Sequence, residues 1–275
     1  MIRKAATNTT IYLLLTVFSL ISLTPFYITL MGSFKEFSEI FANVFGLPHH
    51  WTLDNYINAF YRINFLSAFQ NSAIITVFSV FGLVLFPSMA AYRLTRVDSR
   101  FHRILYFVFI ASMVVPFPAI MLSLVRTISA LQLFNTHIGV IISYYGLGSA
   151  FAIVLYCGFL KTVPIEMEEA AAIDGCSQPR IYLSIVMPLL KPTTATLIVL
   201  NAIWFWNDFL LPAILLTRLQ MQTLPLSIGF LFDMFHSRWD LAMAAIILSI
   251  IPALILFLSF QKFIVSGIAV GAVKG

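Results

Sequence analysis

The chain has 275 residues, of which 60% are hydrophobic and only 10% are charged, and its mean hydropathy is +0.96. Soluble domains carry roughly 25% charged residues, so a chain this apolar cannot bury its hydrophobic side chains in one core and must expose many to lipid. This excludes a soluble enzyme, a disulfide-stabilised secreted domain and a disordered tail, and the net charge of +5 is typical of cytoplasmic loops rather than of nucleic-acid binding.

Six stretches nearly free of charged residues are each long enough to cross a bilayer, which takes about 20 apolar residues per helix. The uncharged region between the third and fourth stretches is polar at 132–137, which favours a loop there. Segment 219–232 is also uncharged, but it contains Pro225 and Gly229 and is predicted to lie at the membrane interface. These features predict an all-α membrane protein with a single transmembrane domain over 1–275. The predicted spans are about 10–32, 66–90, 103–125, 137–160, 192–217 and 240–262.

Positive charge is distributed unevenly among the segments that connect these spans. The N-terminus, the loops 93–103 and 161–191 and the C-terminal tail hold 11 of the 16 Lys and Arg residues. Cytoplasmic loops of membrane proteins carry an excess of Lys and Arg. Both termini and the loop 161–191 are therefore predicted to face the cytoplasm.

The loop 161–191 has the pattern of two short helices. Thr162 is a suitable N-cap for the first helix, glutamates follow in its first turn, and Gly175 can adopt the left-handed conformation that ends it. A second helix is predicted to begin near 177–179 and to end before Pro188. The loop therefore predicts two helices joined by a glycine bend.

One face of the first helix is predicted to carry Ile165, Glu169, Ala172 and Cys176. Small apolar residues around one carboxylate favour close docking into a cleft of another protein. The alternative is a helix that lies on lipid headgroups. Headgroup-binding helices are basic and this one is acidic, which weakens the alternative without removing it.

In this loop, Glu169-Ala170-Ala171 is followed by Gly175, Ile185 and Pro188. This pattern resembles the EAA motif of the permease subunits of ABC importers. Met187 stands where leucine usually precedes the proline, and Cys176 stands where alanine is common. Further islands of sequence are similar to carbohydrate importer permeases of the maltose-permease type. The motif residues are Glu169, Ala170, Ala171, Gly175, Ile185 and Pro188; the islands are Ser33-Phe34-Lys35, Asp54-Asn55-Tyr56, Asn71-Ser72, Ala91-Tyr92, Trp206-Asn207-Asp208 and 271–275.

This resemblance implies a type I importer permease with six helices in the bacterial inner membrane. It implies a pathway shared with a second homologous permease, two cytoplasmic ATP-binding subunits, and an external binding protein that delivers a sugar. The loop would couple the permease to the ATPases, and a tail containing Lys274 would reach their interface. The residues expected to couple are Glu169, Ala170, Ala171, Asp174, Gly175, Ile185 and Pro188.

No Walker A, zinc-protease or nucleophile-elbow motif occurs in the sequence. The chain is therefore predicted to be a transport subunit without a cofactor of its own, and ATP would be bound by its partners. The rival interpretations are an ion-coupled secondary transporter, a channel subunit and an intramembrane enzyme. A glycerol-phosphate-type substrate also stays open, because similar permeases carry such compounds.

Asp208 is the one acidic residue inside a predicted span. It lies about 24 Å along a continuous fifth helix, beside Asn207 and Trp204, and Pro212 is predicted to kink the helix just beyond it. Intramembrane carboxylates usually face an interior or a wet cavity. These residues are predicted either to line the sugar pathway or to cap and bridge helices without touching substrate.

Overall fold

The computed structural model describes residues 2–232 and 237–272, and the described part contains helices and no strands. Lys274, expected at an ATPase interface, lies outside the described residues. The helices are α1 (Ile2–Gly32), α2 (Phe37–Ala42), α3 (Asp54–Arg62), α4 (Phe65–Arg96), α5 (Arg100–Ser112), α6 (Phe117–Ala130), α7 (His137–Leu160), α8 (Glu166–Ile173), α9 (Gln178–Ile181), α10 (Met187–Leu189), α11 (Lys191–Asn207), α12 (Leu210–Leu215), α13 (Leu224–Gly229) and α14 (Trp239–Ala272).

The chain forms two compact units. The first combines Met1–Leu66 with Ser227–Ile251, and the second combines Ser67–Leu226 with Pro252–Gly275. The second unit contains both regions for which sequence analysis predicts a function.

In the first unit, the apolar stretch Ile11–Gly32 buries none of its side chains within the chain. The segment after α1 folds around a buried lysine, Lys35, whose ammonium donates to the carbonyls of Asn43 and Val44. The Asn55 amide donates to the carbonyls of Ser33 and Lys35, at 3.0 and 2.8 Å. Two of the sequence islands therefore meet, because one supplies the carbonyls that the other binds.

The second unit is built around the packing of α4 on α7. Gly82 lies against the Tyr145 ring, 2.2 Å from where a Cβ atom would be, and Gly148 lies similarly against the Leu83 side chain. Small residues at these positions let the two helices approach closely, as is common in membranes. On the other side of α7, the rings of Tyr144 and Phe205 pack with centroids 4.1 Å apart and connect α7 to α11.

Two predicted spans are broken rather than continuous. The span expected at 103–125 consists of α5 and α6, whose axes differ by 107°. Pro116 causes this break, since proline lacks an amide donor and disfavours helical backbone in the residue before it. The span expected at 192–217 ends as α11 at Asn207, and α12 begins at Leu210. The break lies at Asp208, before the predicted kink at Pro212, because Asp208 adopts extended backbone.

Among the residues that the structure describes, three helical stretches are long and apolar enough to cross a membrane, and the count rises to five if each of two bent helix pairs is one span. The described apolar part of the last helix, Trp239–Ile255, is shorter. The six spans and their orientation therefore stay predictions.

Segment 219–232 is expected at the membrane interface, and within the second unit its residues 222–224 are buried. Leu224 is fully buried, and its amide donates to the Ser72 hydroxyl at 2.8 Å. The Asn71 amide donates to the carbonyls of Gln220 and Gln222, at 2.8 and 2.9 Å. Polar side chains on α4 thus satisfy the backbone of this segment, and its position at the membrane interface stays a prediction.

Candidate functional site

The first helix of the loop 161–191 is α8, and a glycine turn ends it as predicted. Gly175 has φ of +81°, which glycine adopts without strain. The amides of Gly175 and Cys176 donate to the carbonyls of Ala172 and Ala171, both at 3.0 Å. This is the hydrogen-bond pattern of a Schellman turn, so the direction of the chain after α8 is fixed.

The start of α8 differs from the prediction. Thr162 does not cap the helix, since its hydroxyl donates to the carbonyl of Phe159 at 2.8 Å. The helix begins at Glu166, with Ile165 as the preceding residue. Thr162 therefore belongs to the end of α7.

A buried ion pair joins α8 to the last turn of α4, and sequence analysis missed it. Nε and Nη2 of Arg96 each lie 2.8 Å from Oε1 of Glu168, and the Tyr92 hydroxyl donates to Oε2 at 2.7 Å. Nη2 of Arg96 also donates to the carbonyl of Val163. The side chains of Arg96 and Glu168 are only 14% and 8% exposed. Removing one partner of such a buried pair costs about 3–5 kcal/mol, so this contact holds α8 firmly.

The second helix of the loop also contacts α4. The hydroxyls of Tyr182 and Ser88 lie 2.7 Å apart, and the rings of Tyr182 and Tyr92 have centroids 5.4 Å apart. Helical backbone continues through Pro188 to Leu189, so the predicted end before the proline was wrong. A π-helical turn over Tyr182–Val186 comes just before Pro188. Its wider hydrogen-bond spacing accommodates the proline, which has no backbone N–H to donate.

The predicted coupling residues divide between two environments. Ala171 is buried and Ile185 is half-buried, whereas Pro188 is exposed in its helix. The remaining four predicted coupling residues are exposed on α8 or on the turn after it. Ile173, which is not one of them, lies beside them and is 87% exposed. Within the described residues, the carboxylates of Glu169 and Asp174 form no hydrogen bond or ion pair. The exposed members are Glu169, Ala170, Asp174 and Gly175.

A cleft of about 810 Å³ lies between α8, the second helix of the loop and the adjoining end of α4. Ile165, Glu169 and Ala172 line it, which confirms that these three residues share one face of α8. Cys176, the fourth residue predicted on that face, does not line the cleft, because the glycine turn redirects the chain before it.

Asp208 lies at the break between α11 and α12. Its Oδ2 accepts a hydrogen bond from the Tyr144 hydroxyl at 2.8 Å, and its Oδ1 accepts the Leu210 amide at 3.0 Å. Tyr144 is fully buried on α7, whereas Asp208 is partly exposed. The carboxylate therefore caps α12 and bonds to α7, and one side of it stays open.

A second cavity, of about 720 Å³, adjoins this carboxylate and lies between α6, α7 and the broken α11–α12 pair. Asp208 and Trp204 line it among mainly apolar residues. Asn207 does not line it, because its amide donates to the carbonyl of Ile203 at 2.8 Å and its side chain is exposed elsewhere. The structure thus brings two of the three predicted pathway residues to one cavity.

Comparison with known proteins agrees with this architecture. Residues 83–270 match the family described as the binding-protein-dependent transport system inner membrane component. The chain is 43% identical over 258 residues to the probable starch degradation products transport system permease protein AmyC of Thermoanaerobacterium thermosulfurigenes, covering 94% of each chain. It is 38% identical over 267 residues to the multiple sugar-binding transport system permease protein MsmG of Streptococcus mutans, covering 96% of each.

Solved structures show the same fold. A chain from a bacterial ABC transporter involved in the import of the acidic polysaccharide alginate superimposes with a TM-score of 0.80 at 25% identity. The match covers 93% of the present chain and 95% of the other. The predicted all-α permease fold is confirmed, as is the prediction of a transport subunit that leaves ATP hydrolysis to a partner. The chain belongs to the family of binding-protein-dependent transport system inner membrane components and is a multi-pass permease of an ABC importer.

Proposed function

We propose that this permease imports an oligosaccharide and forms half of the pathway with a second, homologous permease. An external binding protein delivers the sugar, and two ATP-binding subunits supply the energy through the loop 161–191. The names of the relatives support a sugar, since they refer to starch degradation products and to multiple sugars. Another relative, at 33% identity, is the melibiose/raffinose/stachyose import permease protein MelC of Bacillus subtilis.

The exposed face of α8 is the observation that best supports docking of an ATPase. Ile173 is 87% exposed at the end of a helix whose buried side is fixed to α4. Glu169 and Asp174 add two exposed carboxylates near it. An exposed apolar side chain beside exposed acidic groups fits an apolar cleft with basic groups around it.

The orientation is part of the same proposal. The loop 161–191 must face the cytoplasm to reach an ATPase, and the distribution of Lys and Arg in the sequence supports this side. Asp208 and Trp204 would then line part of the sugar pathway. An ion-coupled secondary transporter would need no ATPase at this loop.

Reversing the charge of Glu169 tests the docking. In the assembled transporter, Glu169→Lys is expected to lower the amount of ATPase recovered with the permease at least tenfold, with normal membrane insertion. Glu36→Lys is the matched control, because Glu36 is also exposed but lies in the segment predicted outside the cell. Normal recovery of the ATPase with Glu169→Lys would show that this face is not the docking surface.

Uptake into proteoliposomes tests the substrate class. The complete transporter with its binding protein is supplied with radiolabelled maltotriose, raffinose, melibiose or glycerol 3-phosphate, with ATP inside the vesicles. Uptake of at least one sugar is expected, and it should stop without ATP but persist with a protonophore. Uptake of glycerol 3-phosphate alone would overturn the assignment of a sugar, and sensitivity to the protonophore would indicate ion coupling.

A further inference from the structure

The C-terminal end of α4, which contacts α8, carries three polar side chains at intervals of four residues. This spacing places them in one row on one face of the helix. They are Ser88, Tyr92 and Arg96, and each bonds to the loop 161–191. Ser88 contacts Tyr182 of the second loop helix, whereas Tyr92 and Arg96 contact Glu168 of α8. Both helices of the loop are therefore attached to the same turns of α4.

The centre of this attachment is a charged group with each of its oxygens bonded. Oε1 of Glu168 accepts a hydrogen bond from Nε of Arg96 and forms an ion pair with Nη2, and Oε2 accepts a hydrogen bond from the Tyr92 hydroxyl. Charge-assisted hydrogen bonds between largely buried groups are short, strong and specific in direction. A displacement of α8 that left α4 behind would break both hydrogen bonds and the ion pair, and would leave a buried charge unpaired.

The other end of α4 is attached to a different segment. Asn71 donates to the carbonyls of Gln220 and Gln222, and Ser72 accepts the amide of Leu224. Asn71, Ser72 and Arg96 all lie on α4, a continuous helix of 32 residues that is about 48 Å long. A helix bonded at both ends can carry a rigid-body displacement from one attached segment to the other.

We infer that Glu168, Arg96 and Tyr92 form the joint through which the loop 161–191 moves α4, and that α4 moves the segment 220–224 at its far end. This inference rests on the proposed docking of an ATPase to that loop. Glu169 would contact the motor protein, and Glu168 next to it would pass the movement into the permease. Glu168, Arg96 and Tyr92 are positioning residues, since none of them contacts substrate or nucleotide in this role.

The test measures coupling in the complete reconstituted transporter with its ATPase and binding protein. The variants are Glu168→Gln, Arg96→Gln and the exchanged pair Arg96→Glu with Glu168→Arg. The readouts are the amount of ATPase retained and the ratio of ATP hydrolysis with and without the binding protein, which needs no identified sugar. Arg103→Gln is the matched control, because its ion pair with Asp98 is exposed at the same end of the bundle.

Each single variant is expected to retain the ATPase, while the stimulation of hydrolysis by the binding protein falls at least threefold. The exchanged pair should recover at least half of the lost stimulation, and Arg103→Gln should keep all of it. Unchanged stimulation in both single variants would overturn the joint. Loss of the retained ATPase in every variant would also overturn it, because the pair would then serve docking or folding and not transmission.

Tyr92→Phe provides a second measurement if the charge variants insert poorly. It removes one hydrogen bond to Glu168 and leaves the ion pair intact, so a smaller loss of stimulation is expected at normal membrane yield. Full stimulation in Tyr92→Phe, together with failed insertion of both charge variants, would show a purely structural role. Failure of the docking proposal is separate, since Glu169→Lys would then retain the ATPase.

Discussion

Two carboxylates in the second unit are each bonded to a tyrosine hydroxyl, yet their surroundings differ. Glu168 has an arginine as well, is 8% exposed, and has both oxygens bonded to side chains of α4. Among the described residues, the donors to Asp208 are neutral, namely Tyr144 and the Leu210 amide, and Asp208 borders a cavity of about 720 Å³. The first carboxylate is paired with an arginine in a packed contact, and the second lies beside open space.

This difference indicates different roles for the two regions. A paired and buried carboxylate fixes one helix to another and is suited to transmitting force. A carboxylate without a cation at a break between two helices can accept hydrogen bonds from water or from sugar hydroxyls that enter the cavity. Mutations should therefore affect coupling at the first region and passage of substrate at the second.

The largest expected effect lies in the turn that orients α8. Gly175→Pro is expected to lower uptake at least tenfold, because proline requires a negative φ and Gly175 has φ of +81°. Gly175→Asn should retain most uptake, since asparagine tolerates left-handed backbone. Measuring uptake and membrane insertion of both variants checks this prediction. Equal uptake in the two variants would show that the conformation of the turn does not matter for coupling.

The next effect concerns the open carboxylate. Asp208→Ala is expected to lower uptake roughly tenfold or more, because a hydrogen bond to a charged group contributes about 1.5–3 kcal/mol. The yield of assembled complex should fall less than the uptake. Tyr144→Phe keeps the carboxylate and removes one donor, so a smaller loss is expected. If uptake and complex yield fall equally in Asp208→Ala, the role of Asp208 is structural only.

The local features of these regions were predictable from sequence, because they depend on neighbouring residues. Gly175 predicts the turn after α8, and the alanines and glutamates before it predict the helix. The spacing of Ile165, Glu169 and Ala172 predicts their shared face. These features follow from backbone conformation and helical periodicity alone.

The long-range features were not predictable from one sequence. Arg96 and Glu168 are 72 positions apart, and nothing in the spacing of charges shows that α8 lies under the end of α4. Arg96 could be recognised only as one of several loop cations. The exact position of the break at Asp208 was also missed: Pro212 prevents a helical hydrogen bond to the Asp208 carbonyl four residues before it, and the Asp208 carboxylate bonds to the Leu210 amide and to the distant Tyr144 hydroxyl. Tertiary contacts thus contribute at both sites.

The smallest expected effect distinguishes the cavity from its surroundings. Asn207→Ala is expected to change uptake by less than about twofold, because the exposed amide of Asn207 bonds to the carbonyl of Ile203 in its own helix and does not line the cavity. Trp204→Ala, three residues earlier, removes a ring that lines the cavity and should lower uptake more.

Uptake by Asn207→Ala and by Trp204→Ala is measured per assembled complex, so that a loss of protein does not count as a loss of transport. A larger loss in Asn207→Ala than in Trp204→Ala would place the pathway on the other face of α11. The cavity beside Asp208 would then not carry substrate. Glu168 and Asp208 would differ in burial but not in their roles in transport.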